Sequence, residues 1–337
     1  MEDADSTEYS IQIDNTCIEK LLKRMKESLK KLESEYSDRT ELDQFFKLYE
    51  RYLRGRGDKI KWEDIRPPKD RIIQYSDIIR QDADSKDLLK KLVVLKLNGG
   101  LGTTMGCIGP KSAIPVKSGK NFLDLVSKQL KFLKRQYNVE IPLVLMNSFN
   151  TEEMTEKLIS RHDNILSFNQ SKYPRISTET LLPPTDLDKK KLFYPPGHGD
   201  ILYSLDSSGM LDKLLDDGKE FLFVSNIDNL AATVDLTLLE YFSSQNLEFM
   251  MEVTNKTRAD IKGGTLIEYE GGIRLLEIAQ VPSAKKSEFT SVRKFKIFNT
   301  NSVWINLKGF KNELKQGEIN LDIIEIKRML KMRLFIS

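Results

Sequence analysis

The stretch Leu92-Val93-Val94-Leu95-Lys96-Leu97-Asn98-Gly99-Gly100-Leu101-Gly102 joins a short apolar run to a glycine-rich turn. The run Leu92 to Leu95 predicts a buried strand. Glycines after such a strand let the backbone approach a ligand closely and aim N–H groups at anionic oxygens. Open α/β sheets bind their ligands at the carboxyl ends of strands. The turn continues through Thr103-Thr104-Met105-Gly106 to Gly109-Pro110-Lys111-Ser112. Its spacing is neither the Walker pattern nor a GxGxxG opening straight into a helix. Lys111, following the loop, is a cation able to neutralise a phosphate. A plain surface turn with a solvated lysine is the competing reading.

Downstream, short apolar runs alternate with helical periods. Phe122 to Tyr137 reads as a helix with Phe122, Leu125, Val126, Leu130 and Leu133 on one side. Leu143 to Met146 reads as a second buried strand, Glu152 to Ile159 as a helix and Ile165 to Phe168 as a short strand. Phe221 to Val224 is another buried strand, followed by a helix from Asp235 to about Phe242. This succession predicts an α/β fold with a mainly parallel, helix-covered sheet. Phe249 to Thr254 adds a strand. Thr265–Tyr269 and Ile273–Ile278 read as a hairpin through Gly271-Gly272, and Phe295–Phe298 and Val303–Leu307 as two late strands. Five of the eleven prolines lie between Pro174 and Pro196, which predicts a long loop of the kind that often carries function.

Upstream, the composition changes. Residues 1–96 hold 21 acidic and 21 basic side chains, so the net charge of +3 belongs wholly to the remainder. Residues 1–14 read as a disordered polar tail and 15–90 as a helical segment, with 91–337 the main domain. The first helix is expected to start at Thr16, with Glu19 at capping-box spacing, and to carry Ile18, Leu21, Leu22, Met25, Leu29 and Leu32 as one stripe. A second helix carries Leu42, Phe45, Phe46, Tyr49, Tyr52 and Leu53 and stops at Gly55 and Gly57. Two cysteines and two histidines exclude a disulfide framework, a zinc cluster and a His-rich metal site. No run approaches the roughly 18 apolar residues of a membrane span. The near-neutral total argues against a nucleic-acid partner but not against a small phosphate-bearing ligand. A soluble, cytoplasmic protein is the expectation.

Three further constellations can carry chemistry. Tyr194-Pro195-Pro196-Gly197-His198-Gly199-Asp200 fixes its approach with prolines and frees the backbone around a histidine. It can press N–H groups and an imidazole against an anion, or be a surface turn. Val224-Ser225-Asn226-Ile227-Asp228-Asn229 places one carboxylate just past a buried strand. Mg²⁺ needs only one or two carboxylates when substrate phosphates complete its shell; an Asx turn or helix cap is the alternative. Lys262-Gly263-Gly264-Thr265 faces Leu276-Glu277-Ile278 across the hairpin, where Glu277 can accept sugar hydroxyls or form a cross-strand salt bridge. The set suits an in-line transfer between two phosphate-bearing partners, with positioning and charge stabilisation in place of a covalent intermediate.

The segments KLVVLKLNGGLGTTMGCIGPKS, PLVLMNSFNTEE, FNQSKYPRI, YPPGHGD, FVSNIDNLAATVDL, MEVTNKTRADIKGGTL, LLEIAQVP and KFKIFNTNSVW resemble the UTP–glucose-1-phosphate uridylyltransferases (UDP-glucose pyrophosphorylases) of the eukaryotic, animal type over about residues 15 to 307. The resemblance implies a nucleotide-diphospho-sugar transferase domain, GT-A-like, behind a helical N-terminal segment. It implies UTP, glucose 1-phosphate and Mg²⁺, with UDP-glucose and pyrophosphate as products. By resemblance, Leu97, Asn98, Gly99 and Gly100 hold the nucleotide, and Lys111 contacts its triphosphate as the catalytic lysine. Gln170 and Gly197 contact the uridine. His198, Asn226, Ile227 and Asp228 face the sugar phosphate, and Asp228 also binds metal. Glu277 and Asn301 are candidate contacts to sugar hydroxyls.

Departures from the family pattern accompany the match. From near Ile326 the tail no longer resembles the family, whose sequences continue to a strand bearing a second catalytic lysine and to a β-helix domain that mediates oligomers. The expectation is therefore a catalytic domain incomplete at its C-terminus, with that β-helix domain absent. Ala231 stands where the family usually has Gly, and Thr104 where Ser is usual. A non-catalytic paralogue or truncated isoform that binds UTP or UDP-glucose is the alternative to a working enzyme.

Overall fold

Leu92–Leu97 form a strand, β1, in which every residue is buried. The computed structural model describes residues 14–37, 39–55, 60–68, 71–80, 84–102, 106–260, 263–317, 321–330 and 333–336. Strand β1 is central in a sheet that also contains β2 (Leu143–Asn147), β3 (Ile165–Asn169), β4 (Phe221–Asn226), β5 (Phe249–Asn255) and β8 (Ile297–Asn306). Between β5 and β8 lies a separate hairpin of β6 (Thr265–Tyr269) and β7 (Gly272–Leu276). The sheet order is β5-β8-β4-β1-β2-β3. Strands β4, β1, β2 and β3 are mutually parallel, and β8 runs antiparallel to both β4 and β5. The expected mainly parallel, helix-covered sheet is therefore present.

Strand alternation sorts the core into two layers. Leu92, Val94, Leu143, Leu145, Phe221, Phe223 and Trp304 face one cluster, covered by helices Phe122–Tyr137 and Leu236–Ser244. Val93, Leu95, Leu97, Val144, Leu222, Val224 and Ile305 face the other, covered by helices Ile201–Ser207, Met210–Asp216 and Leu307–Gln316. Trp304 is fully buried and stacks on Phe223, with ring centroids 4.4 Å apart. A sheet buried on both faces needs near-continuous apolar strands, which is why β1, β2 and β4 stood out in the sequence.

The chain divides into two units. One contains Ile65–Ser171 and Pro195–Leu321, and holds the sheet. The other contains Met1–Asp64, Lys172–Tyr194 and Asp322–Ser337. This corrects the boundary expected at residue 90 and the assignment of everything beyond it to one domain. In the second unit, helices Asn15–Lys30 and Thr40–Arg54 bury Ile18, Leu22, Met25 and Leu29 against Leu42, Phe45, Tyr49 and Leu53. Tyr173, Ile176, Leu181 and Leu182 complete that core, and the Tyr49 hydroxyl donates to Leu181 O at 2.9 Å. The proline-rich stretch is thus largely a packing partner of the helices. Its short strand Ile176–Ser177 pairs with Arg333–Ile336.

Local corrections have local causes. The first helix is capped by Asp14, whose carboxylate accepts from Cys17 N, in place of a Thr16 box. The hairpin turns at Glu270 and Gly271, at φ of 51° and 77°, not at Gly271-Gly272. The two late strands are one strand, β8, interrupted by a bulge opposite Glu252/Val253. The expected tail at residues 1–13, the stop at Gly57, Thr103 to Met105 and Lys262 lie outside the described residues.

Candidate active site

The carboxyl ends of β1, β2 and β4 carry most of the polar residues singled out in the sequence. Asn98, next after β1, is 1% exposed, and its amide group is wholly engaged. Its Nδ2 donates to Asn147 Oδ1 at 2.8 Å and Thr155 Oγ1 at 2.9 Å, while its Oδ1 accepts from Ser112 N at 3.3 Å. The side chain therefore locks β1, β2, the helix Glu152–Ile159 and the turn at Lys111 together. Leu97 packs into the sheet core. The side chains of Leu97 and Asn98 brace the loop, and the backbone there is engaged too, with Asn98 N donating to Met146 O at 2.8 Å.

The two loop glycines differ. A Cβ on Gly99 would lie 2.0 Å from Gln170 Nε2, whereas on Gly100 it would meet, among the described residues, only Lys111 Cε, at 3.9 Å. Gly99 is closed in by its neighbours, and Gly100 lies beside the lysine with no closer neighbour among the described residues. Gln170 is 6% exposed and pins the next loop: its Oε1 accepts from Gly197 N at 2.8 Å. Gly197 has φ +102°, a conformation that favours glycine. On the other side of His198, the buried carboxylate of Asp200 accepts from Ser171 N at 2.6 Å and Ser171 Oγ at 3.0 Å. The pair Gln170-Ser171 thus holds the histidine loop on both flanks.

Lys111 Nζ lies 2.6 Å from Asp228 Oδ2, with the two side chains 30% and 20% exposed. The pair joins the loop after β1 to the loop after β4. Ile227 is fully buried in the apolar core, and its N–H donates to Leu97 O at 3.2 Å. The side chain faces inward because the apolar layer continues past the strand end.

Asn301 comes from the β8 bulge, where the register skips from Ser302 to Asn299 and Asn301 takes φ 59°. Its Nδ2 donates to Asn226 Oδ1 at 2.9 Å and meets His198 Nδ1 at 2.8 Å. Nδ1 of the imidazole therefore accepts, and the neutral ring carries its proton on Nε2. Desolvation, followed by the Lys111 cation, holds His198 below the usual histidine range against the opposing pull of Asp228. A neutral imidazole whose Nε2–H has no partner among the described residues is suited to an anionic oxygen.

Glu277 stands apart from these groups. It lies just beyond β7 and caps a turn, accepting from Gln280 N. Its Oε1 lies 2.3 Å from where a Gly264 Cβ would be. Burial pushes its carboxyl above the usual range. Sequence reasoning passed over Asn147, Thr155, Ser171 and Asp200, which act through hydrogen bonds behind the presented groups. Asn147, Ser171 and Asp200 stood in the quoted motifs, and polar residues terminating apolar runs were the available signal.

A doubly covered, mainly parallel sheet with a glycine loop, a lysine, a histidine and one carboxylate at its strand ends defines a nucleotidyltransferase class. Residues 42–335 match the family model described as UTP–glucose-1-phosphate uridylyltransferase. The chain is 61% identical over 329 residues to the UTP–glucose-1-phosphate uridylyltransferase of Encephalitozoon cuniculi, covering 98% of this chain and 67% of that one. It is 50% identical over 293 residues to the Saccharomyces cerevisiae enzyme of that name, covering 84% of this chain and 58% of that one. Among solved structures, UDP-glucose phosphorylase from Trypanosoma brucei superposes with a TM-score of 0.82 at 32% identity, over 96% of this chain and 70% of that one. A Leishmania major UDP-glucose pyrophosphorylase mutant in complex with UDP-glucose gives 0.81 at 30%, over 92% and 70%. The chain belongs to the UTP–glucose-1-phosphate uridylyltransferase family.

Proposed function

We propose that this chain transfers the uridylyl group of UTP to glucose 1-phosphate, and that the strand-end cluster is where it does so. A phosphate oxygen of glucose 1-phosphate attacks the α-phosphorus of UTP. A new P–O bond forms, the bond to the β-phosphate bridging oxygen breaks, and pyrophosphate leaves with that electron pair. The Lys111–Asp228 pair carries this reading, because it sets a cation and a carboxylate side by side between two strand-end loops. Backbone N–H groups at Gly99 and Gly100, with Gln170 and Gly197, take the nucleotide. Lys111 takes the triphosphate charge. His198 Nε2–H, Asn226 and Asp228 orient the sugar phosphate, and Asn301 and Glu277 reach sugar hydroxyls. Such a site works by alignment and fixed electrostatics.

Among the described residues there is no group of three His, Cys, Asp or Glu placed to hold a metal ion. A single carboxylate suits Mg²⁺ that arrives with substrate phosphates. Asp228 is the residue that would hold it, and the ion would supply charge neutralisation on those phosphates. Cys17 and Cys107 form no disulfide, which suits a reducing compartment such as the cytoplasm. No described helix is long and apolar enough to cross a membrane.

The test is a coupled pyrophosphate-release assay on the 337-residue chain with UTP, glucose 1-phosphate and Mg²⁺. Turnover that Asp228→Asn abolishes is expected. Tight UTP binding without turnover would overturn the catalytic reading.

A further inference from the structure

Lys96 is the single charged residue in β1, and it is 1% exposed. Burying an ammonium group is costly unless it is hydrogen-bonded and paired. Its Nζ donates to Ser225 Oγ at 2.6 Å and to Ala232 O at 2.9 Å. Ser225 is its direct register partner on β4, one residue before Asn226. Ala232 lies at the far end of the loop that carries Asp228. The same loop is held at its start by Ile227 N on Leu97 O, and in its middle by Gln129 Nε2 on Leu230 O at 2.9 Å. Asp228 therefore rides on a loop tied down on both sides, and Lys96 supplies the tie that is charged. The carboxylate of Glu252, itself engaged by Trp304 Nε1 at 2.8 Å, supports the buried cation, and the Phe223 ring lies 5.9 Å from Nζ.

We propose that Lys96 is a positioning residue for the transfer, bridging β4 and Ala232 so that the intervening loop presents Asn226 and Asp228 to the sugar phosphate. Buried charges of this kind are weak evidence for stability, since apolar replacement of a whole buried pair is often neutral or stabilising. What an apolar side chain could not do is tether a backbone carbonyl across the sheet end. The inference rests on the site roles proposed above.

The test compares Lys96→Met and Ser225→Ala with the unaltered full chain, by pyrophosphate-release kinetics alongside thermal melts. For Lys96→Met, KM for glucose 1-phosphate is expected to rise at least fivefold and kcat to fall about tenfold, with KM for UTP within twofold. Ser225→Ala, which leaves Ala232 O bonded, is expected to move KM for glucose 1-phosphate the same way by twofold or more. A purely structural lysine would lower kcat in proportion to the folded fraction and leave both KM values alone; that result overturns the proposal. If Lys96→Met does not fold, Ser225→Ala decides, and unaltered constants there overturn it equally. Asp228→Asn separates the two levels. Full turnover in Asp228→Asn removes the site reading, and this inference with it. Abolished turnover there, beside unaltered constants in Lys96→Met, removes the inference alone.

Discussion

Asn301 Nδ2 stands 2.8 Å from His198 Nδ1 and 2.9 Å from Asn226 Oδ1, so one amide sets both the ring proton of the histidine and the orientation of its neighbour. The backbone beneath it is left-handed, at φ 59°. Asn301→Gly keeps that conformation available while deleting the amide. The expected outcome is a KM for glucose 1-phosphate raised by about tenfold, equivalent to about 1.4 kcal/mol, with Tm lowered by only a few degrees. Steady-state kinetics and a thermal melt check it. An unchanged KM would show that His198 needs no such partner.

How His198, Asn226 and Asn301 come to meet shows where sequence reading succeeds and stops. Strands β1, β2 and β4 were legible because both sheet faces are buried and every residue must be apolar. Helix Phe122–Tyr137 was legible because its apolar stripe is a local signal. The bulge that lifts Asn301 was not: it depends on Thr300 Oγ1 donating to Glu252 O at 2.7 Å, a contact 48 residues away in the chain. The second unit escaped for the same reason, since nothing local shows that Leu181 will pack beneath Tyr49. Family resemblance named candidate residues without separating Asn98 and Ile227, whose side chains are buried, from Lys111 and His198, whose side chains are not.

The contrast between Gly99 and Gly100 separates folding from binding. Gly99→Ala puts a methyl group 2.0 Å from Gln170 Nε2 and must displace the side chain that pins Gly197. Overpacking of this kind costs about 1–3 kcal/mol, so both stability and UTP affinity should fall. Gly100→Ala meets nothing nearer than 3.9 Å among the described residues, so the free chain should melt as before, while UTP binding weakens because the methyl group occupies ligand space. Denaturant titrations with UTP calorimetry on the two variants check this. Equal loss of stability in both would refute the distinction.

Lys111 and Asp228 neutralise each other across 2.6 Å in the free chain. Lys111→Ala is expected to weaken UTP binding by about 10- to 100-fold, or about 1.4–2.8 kcal/mol, with a shallower salt dependence because one cation is gone. In the free chain the same pair is partly exposed, so its coupling in a double-mutant cycle with Asp228→Asn should be no more than about 1 kcal/mol of stability. Calorimetry at two ionic strengths and a denaturation cycle measure the two quantities. Undiminished UTP affinity in Lys111→Ala would remove its assigned role.

Lys96 makes a prediction about stability that is independent of catalysis. Burial holds its ammonium down to about 8 from an ordinary 10.5, despite the supporting field of Glu252. Below pH about 8 the side chain is protonated in both folded and unfolded chains, and stability does not change with pH on its account. Between about 8 and 10.5 the unfolded chain keeps a proton that the folded chain has lost. Unfolding then takes up a proton, so stability rises with pH across that window, by at most about 3 kcal/mol. Lys96→Met has no such group. The stability of the unaltered chain relative to Lys96→Met should therefore increase from pH 7.5 to pH 10. Burial also lowers Lys219 and Lys256, but both are present in the two proteins and cancel in the difference. Urea titrations at the two pH values supply the measurement, and stability curves that stay parallel would mean that Lys96 keeps its proton in the fold.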